Sequence, residues 1–201
     1  MKTMIAVPCM DTMPTEFVKS LVFLRPVGEI CHSFTVSTLC DIARNTLAKQ
    51  AALSDCDRVL WLDSDMVFTP DLLERLSDDM EGREFVCGLY STRKPPYHPT
   101  IYKEISITKA ENGAFVPQAT AYDDYPRDSV FKVCAAGFGA VLMTTDLIRK
   151  VGERFGLPFE RVPGFGEDLS FCMRVAEMGI PMYCDSRIKL GHLALKPLEV
   201  E

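Results

Sequence analysis

The run Arg58-Val59-Leu60-Trp61-Leu62 ends abruptly in Asp63-Ser64-Asp65 and continues as Met66-Val67-Phe68. It is apolar without helical spacing and too short for a helix. It therefore reads as a strand covered on both faces, as in a parallel sheet with helices on each side. Ligands of such sheets bind outside the carboxyl ends of the strands, where these two acids fall. Residues two apart in extended chain project the same way, so Asp63 and Asp65 are expected to converge on one hard cation. The bland alternative is a pair of solvated acids in a loop. Thr69-Pro70-Asp71 supplies a cap, a first-turn proline and an early acid, so a helix is expected to start at once.

The preceding segments have the same character. Met4-Ile5-Ala6-Val7-Pro8 reads as a buried strand, with Cys9-Met10-Asp11 as its exit loop. Asp11 or Thr12 then caps a helix running to about Leu24. A second strand spans Gly28 to about Thr35. Ser37-Thr38 opens a helix whose apolar positions Leu39, Ile42, Ala43, Leu47 and Ala51 predict its inward face. Arg44 on that helix has two readings: an anion-binding fork, or an ion pair with Asp41 on a solvated face.

Phe85 to Tyr90 is a further strand, and Ser91-Thr92-Arg93-Lys94 follows at its end as either an anion pocket or a solvated loop. Residues 97–130 are irregular, with a hairpin predicted around Glu111-Asn112-Gly113. An insertion of this length is the natural place for a lid, with acceptor selection near Tyr122-Asp123-Asp124-Tyr125-Pro126. Phe131 to Met143 reads as one strand carrying Gly137 and Gly139, and glycine there implies close approach of another group. Gly166-Glu167-Asp168 opens an amphipathic helix ended by Gly179, although acids at a helix start are also favoured by the dipole alone. A strand follows at Ile180–Asp185, then Gly191-His192.

Composition narrows the function. At 201 residues one domain is expected, and the net charge of −6 argues against a dedicated nucleic-acid binder. No apolar run is long enough to span a bilayer, and no basic-then-apolar leader opens the chain, so a cytoplasmic location is expected. The eight cysteines have apolar flanks and no metal-ligand spacing, which suits reduced, buried thiols. His32 and His98 have no motif context and are read as structural.

Taken together, the strand with Asp63 and Asp65, the Ala43-Arg44-Asn45 triplet before it, the glycine-bearing strand and the Gly-Glu-Asp helix resemble GT-A-fold glycosyltransferases, family two and compact phage or bacterial relatives in particular. The resemblance spans nearly the whole chain. It implies a mixed, mostly parallel sheet flanked by helices, with residues 1–96 as a nucleotide-binding half, 97–130 as an insertion and 131–201 as an acceptor half. It implies a hexosyltransferase-like enzyme that moves a sugar from a nucleotide-diphosphate sugar, a UDP-sugar foremost, to an acceptor hydroxyl with inversion.

By the same resemblance, Pro8, Cys9 and Met10 lie along the nucleotide and Arg44 reaches the donor. Asp63, Ser64 and Asp65 bind the donor, the two acids through the metal, and Gly137, Phe138 and Gly139 pass under its sugar. His192 is implied as a third metal ligand beside Asp63 and Asp65, and carboxylate plus imidazole favours Mn²⁺ over Mg²⁺. Asp168 is implied as the base, with Glu167 positioning the acceptor. The acceptor stays open among a glycan, a small molecule and a hydroxylated DNA base. Two other classes share features: haloacid-dehalogenase-type phosphatases carry Asp-x-Asp after their first strand rather than a third, and nucleotidyltransferases need a glycine-rich opening that Pro8 to Met13 lacks.

Overall fold

The period-2 side-chain alternation of the predicted central strand decides the architecture. On β3 (Arg58–Leu62), Val59 and Trp61 point into one apolar cluster and Leu60 and Leu62 into another, all fully buried. A strand so buried on both faces requires helices on both sides. The computed structural model, which describes residues 1–37 and 39–194, has them.

In chain order the elements are β1 (Lys2–Cys9), α1 (Thr15–Val22), β2 (Glu29–Val36), α2 (Cys40–Leu53), β3, β4 (Met66–Val67), α3 (Leu72–Asp79) and β5 (Phe85–Leu89). They continue as β6 (Ile101–Lys109), β7 (Phe115–Ala121), β8 (Val130–Val133), β9 (Ala135–Ala136), β10 (Ala140–Thr144), α4 (Thr145–Phe155), α5 (Glu167–Glu177), β11 (Met182–Lys189) and β12 (Gly191–His192). A seven-stranded sheet has the order β2-β1-β3-β10-β5-β11-β8. The pairings of β1 with β2 and β3, and of β5 with β11, are parallel, while β10 and β8 run against their neighbours. The expected mixed, mostly parallel sheet is present. Residues of α2, α4 and α5 (Leu47, Leu147, Phe171) pack with Trp61, and residues of α1 and α3 (Phe17, Leu72, Leu76) with Leu60 and Leu62.

Several boundaries differ from expectation. The single strand foreseen over Phe131–Met143 is three pieces, because the Gly137-Phe138-Gly139 stretch leaves the sheet between β9 and β10. α3 starts after the Thr69-Pro70 pair rather than on it: Leu72 N–H bonds Thr69 O at 3.1 Å, a tight turn before the helix. The expected capping by Asp11 or Thr12 is replaced by Pro14, without a side-chain bond. The cap assigned to Thr38 lies outside the described residues, and α2 begins behind Leu39.

The hairpin expected in the insertion is β6 against β7, in register from Ile105–Ala119 to Lys109–Phe115. Gly164, at φ +88°, lies against its Pro117: a Cβ there would sit 2.3 Å from the proline ring. His32 stacks with Phe34, and His98 pairs with Asp123 at 2.8 Å. All eight cysteines are free thiols. Among the described residues no helix is long and apolar enough to cross a membrane.

Candidate active site

The carboxyl ends of β1 and β3 and the first turns of α2 and α5 enclose a cleft of about 320 Å³. Its walls are Pro8, Cys9 and Met10 from the β1 exit, Ser37, Cys40, Ala43 and Arg44 around the start of α2, Asp63-Ser64-Asp65, and Glu167-Asp168. Ser37 N–H bonds Cys9 O at 3.1 Å, tying the exits of β1 and β2 together. Sequence reasoning missed Ser37, Cys40 and Ala43. Small residues facing a cleft carry no motif of their own.

Asp63 and Asp65 leave β3 in a turn, with Met66 N–H bonded to Asp63 O at 3.1 Å. This corrects the expectation of two parallel carboxylates, since the extended chain ends at Leu62. The two acids separate. Asp63 Oδ1 accepts from Arg44 Nη2 at 2.7 Å. Asp65 faces the other way, toward Arg93 and His192, whose Nε2 is 3.7 Å from Asp65 Oδ2.

His192 arrives through two residue pairs between β4 and β12, Gly191 with Val67 and His192 with Met66. Leu193 N–H also bonds Asp65 O at 2.9 Å. No local pattern in the chain signals this bridge. Nδ1 of His192 is 2.9 Å from Ser91 O, an acceptor only, so Nδ1 carries the proton. Nε2 then presents a lone pair, and it accepts from Arg93 Nε at 2.8 Å. Burial pushes the imidazole pKa below its ordinary value and the Arg93 charge adds to this, against the bond to Ser91; the neutral ring is favoured.

Arg44 is the second hub. It is 2 % exposed, lies over the Phe138 ring at 4.9 Å, and donates through Nε to Glu167 Oε1 at 3.2 Å as well as to Asp63. Its Nη1 is buried without a partner among the described residues. The solvated pair with Asp41 is therefore overturned. Asp41 instead faces Arg161 at 3.7 Å. Burial raises the pKa of Asp63 above the ordinary carboxyl value, only partly offset by Arg44. Against burial, Arg44 holds Glu167 below its ordinary value. Burial likewise raises Asp168, which accepts from Leu169 N–H at 2.7 Å at the start of α5.

The glycine segment also needs correction as a donor contact. Phe138 is fully buried against Trp61, Phe85, Phe159 and Phe171, so it cannot touch a ligand in the cleft. What approaches the glycines is Tyr90: a Cβ on Gly137 would meet its hydroxyl at 2.2 Å, and one on Gly139 its ring at 2.6 Å.

The donor set bears on the implied cation. Among the described residues no three His, Cys, Asp or Glu side chains cluster as a ready metal site. The three-ligand set of Asp63, Asp65 and His192 is thus not assembled, because Asp63 is engaged by Arg44. Asp65 and His192 do fit as a pair. Asp65 Oδ1 is buried without a hydrogen-bond partner among the described residues, and the Nε2 lone pair lies beside the same carboxylate. One carboxylate and one neutral imidazole are ligands a divalent ion accepts when phosphate oxygens and water complete its shell.

No protein-family model matches the chain, and no curated protein matches it. Solved structures do. A197 from STIV superposes with a TM-score of 0.64 over 97% of this chain and 87% of that one, at 18% identity. GalNAc-T7, solved with UDP, GalNAc and Mn²⁺, superposes at 0.63 over 98% of this chain, at 8% identity. This chain spans only 43% of that protein. At such identities the likeness establishes the fold, which is GT-A-like.

Proposed function

We propose that the protein is a metal-dependent glycosyltransferase that moves a sugar from a nucleotide-diphosphate sugar, UDP-linked foremost, to an acceptor hydroxyl with inversion. One observation carries this reading: a cleft at the carboxyl edge of a GT-A-like sheet holds Asp63, Asp65 and Asp168, and His192, which lines a second pocket with Arg93, brings its Nε2 to 3.7 Å from the Asp65 carboxylate. GalNAc-T7, with the same fold, was solved with UDP and Mn²⁺, which supports the choice of ligands.

In this reading Pro8, Cys9 and Met10 line the nucleotide. Asp65 and His192 would hold Mn²⁺ or Mg²⁺, which supplies positive charge to the leaving diphosphate. Arg44 fixes Asp63 and Glu167 in the wall of the donor cleft. Asp168 takes the proton of the acceptor hydroxyl as that oxygen attacks the anomeric carbon; the nucleotide leaves on the opposite face. Glu167 orients the base through its bond to Arg44. The β6–β7 hairpin and the loop after it select the acceptor.

A sugar-nucleotide screen by thermal shift with Mn²⁺ tests the assignment. A ligand at 100 times its dissociation constant stabilises by about 2.7 kcal/mol, a readily measured shift. Turnover is then read as nucleotide release, with p-nitrophenyl phosphate hydrolysis as the phosphatase control. Absence of any Mn²⁺-dependent nucleotide stabilisation, or phosphatase turnover in its place, would overturn the reading.

A further inference from the structure

Arg93 sits on the loop after β5, half exposed, and its guanidinium bonds Asp65 while its Nε donates to His192 Nε2 at 2.8 Å. These are the two groups assigned above to the cation. The guanidinium thus satisfies both of them with a positive charge of the protein's own. Three features make the arrangement specific. Ser91 O, two residues before Arg93, fixes the tautomer that lets Nε2 accept. Tyr90, the residue before Ser91, packs edge-on against the imidazole at 5.3 Å. The cleft also gathers Asp63, Asp65, Glu167 and Asp168, with Arg44 on Asp63 and Glu167 and Arg161 3.6 Å from Glu167, so Arg93 on Asp65 offsets part of an excess of negative charge.

We infer that Arg93 is a built-in competitor of the divalent cation: it occupies Asp65 and His192 in the free protein and is handed over to the diphosphate when metal and nucleotide enter together. This rests on the glycosyltransferase reading. A guanidinium N–H and a dication cannot share the one lone pair of His192 Nε2, and two cations on one carboxylate repel, so a metal that takes Asp65 and His192 expels Arg93. The expelled side chain stands beside the metal with its fork unpaired. The diphosphate is the anion that pairs with it, because planar guanidinium matches phosphate oxygens. Metal and nucleotide therefore bind with positive coupling, each clearing the way for the other. Arg93 acts as a positioning residue: it keeps the cation site closed to metal alone and orients the diphosphate once open.

The test is a four-way titration of Mn²⁺ with and without UDP, on wild type and Arg93→Gln, followed by calorimetry and by the Mn²⁺ paramagnetic resonance signal. Arg93 lies on an exposed loop, so the variant is expected to fold; circular dichroism checks it. The expected result is tenfold or tighter binding of Mn²⁺ alone by Arg93→Gln, with UDP improving Mn²⁺ affinity by a smaller factor than in wild type. Asp65→Asn, alone and combined with Arg93→Gln, separates the two layers of argument. If Mn²⁺ binding depends on Asp65 but Arg93→Gln matches wild type with and without UDP, the competitor role is overturned and the metal site stands. If binding is indifferent to Asp65 in both backgrounds, the metal site itself is overturned, and the role of Arg93 with it.

Discussion

Arg44 Nη2 lies 2.7 Å from Asp63 Oδ1, and the same guanidinium reaches Glu167 at 3.2 Å, so one buried cation joins the end of β3 to the start of α5. The two partners lie 19 and 123 positions away in sequence. Arg44 thereby sets the width of the cleft between the two groups of acids.

Arg44→Met is accordingly expected to lower stability by about 3 kcal/mol, because it leaves the part-buried Asp63 without its counter-charge and Glu167 with only Arg161 at 3.6 Å. Urea denaturation followed by Trp61 fluorescence measures it. Adding Asp63→Asn and Glu167→Gln should recover most of the loss, since the uncompensated charge is then gone. A loss under 1 kcal/mol in the single variant would mean that the network is solvated and the cleft is held some other way.

His192→Ala removes the imidazole while Asp65 remains. Changing a group that merely orients a metal ligand costs about 10–100-fold in metal affinity, so removing the ligand is expected to cost at least as much. Excess Mn²⁺ should partly restore nucleotide binding. Unchanged Mn²⁺ dependence would reduce the bridge between β4 and β12 to a packing contact.

For Asp168→Asn, donor and metal affinity should survive nearly intact while transfer falls by roughly 10²–10⁴-fold, the usual contribution of a general base. The amide keeps the bond from Leu169 N–H but cannot take a proton. Titration of UDP with Mn²⁺, paired with turnover, separates the two effects. Turnover within a few-fold of wild type would return Asp168 to the role of a helix-start acid.

A pH effect is expected away from the cleft. Burial and contact with Asp185 raise Asp79 to about 6, while Arg187 bonds Asp79 at 3.1 Å and Asp185 at 2.8 Å. The folded state thus holds a proton that the unfolded chain gives up near 3.8. Its stabilisation is complete below that value and is lost as pH rises through about 6. Asp79→Asn mimics the protonated form, so it should stabilise at pH 7.5 by about 1 kcal/mol, or about 2–4 °C in Tm. The gain should vanish near pH 3.5. An equal gain at both pH values would remove the shared proton from the explanation.

How much was legible in the sequence depended on whether the signal was local. β3 declared itself because four consecutive residues, Val59 to Leu62, carry its burial, and Asp63, Asp65, Glu167 and Asp168 because abrupt acids mark the ends and starts of elements. α2 misled. Leu39 and Ile42, assigned inward as apolar residues, are 51% and 52% exposed, whereas Arg44 is inside. Its burial makes sense only with acids delivered by β3 and α5, which no window along α2 contains. Phe138 was likewise read through its glycine neighbours, although those glycines make room for Tyr90. The pairing of β4 with β12 had no periodicity to reveal it, since each strand is two residues long.

That short pairing has a consequence for how the protein comes into being. Asp65 belongs to the first third of the chain and His192 to its last described strand, and two residue pairs hold them together. Such distant contacts pay their loop-closure entropy late and form only once the elements between them have docked. Cation-holding capacity should therefore be among the last properties acquired on refolding and among the first lost to local opening, well before the sheet itself gives way. Measured against time after dilution from urea, Mn²⁺ uptake would then serve as a clock for the final step of folding.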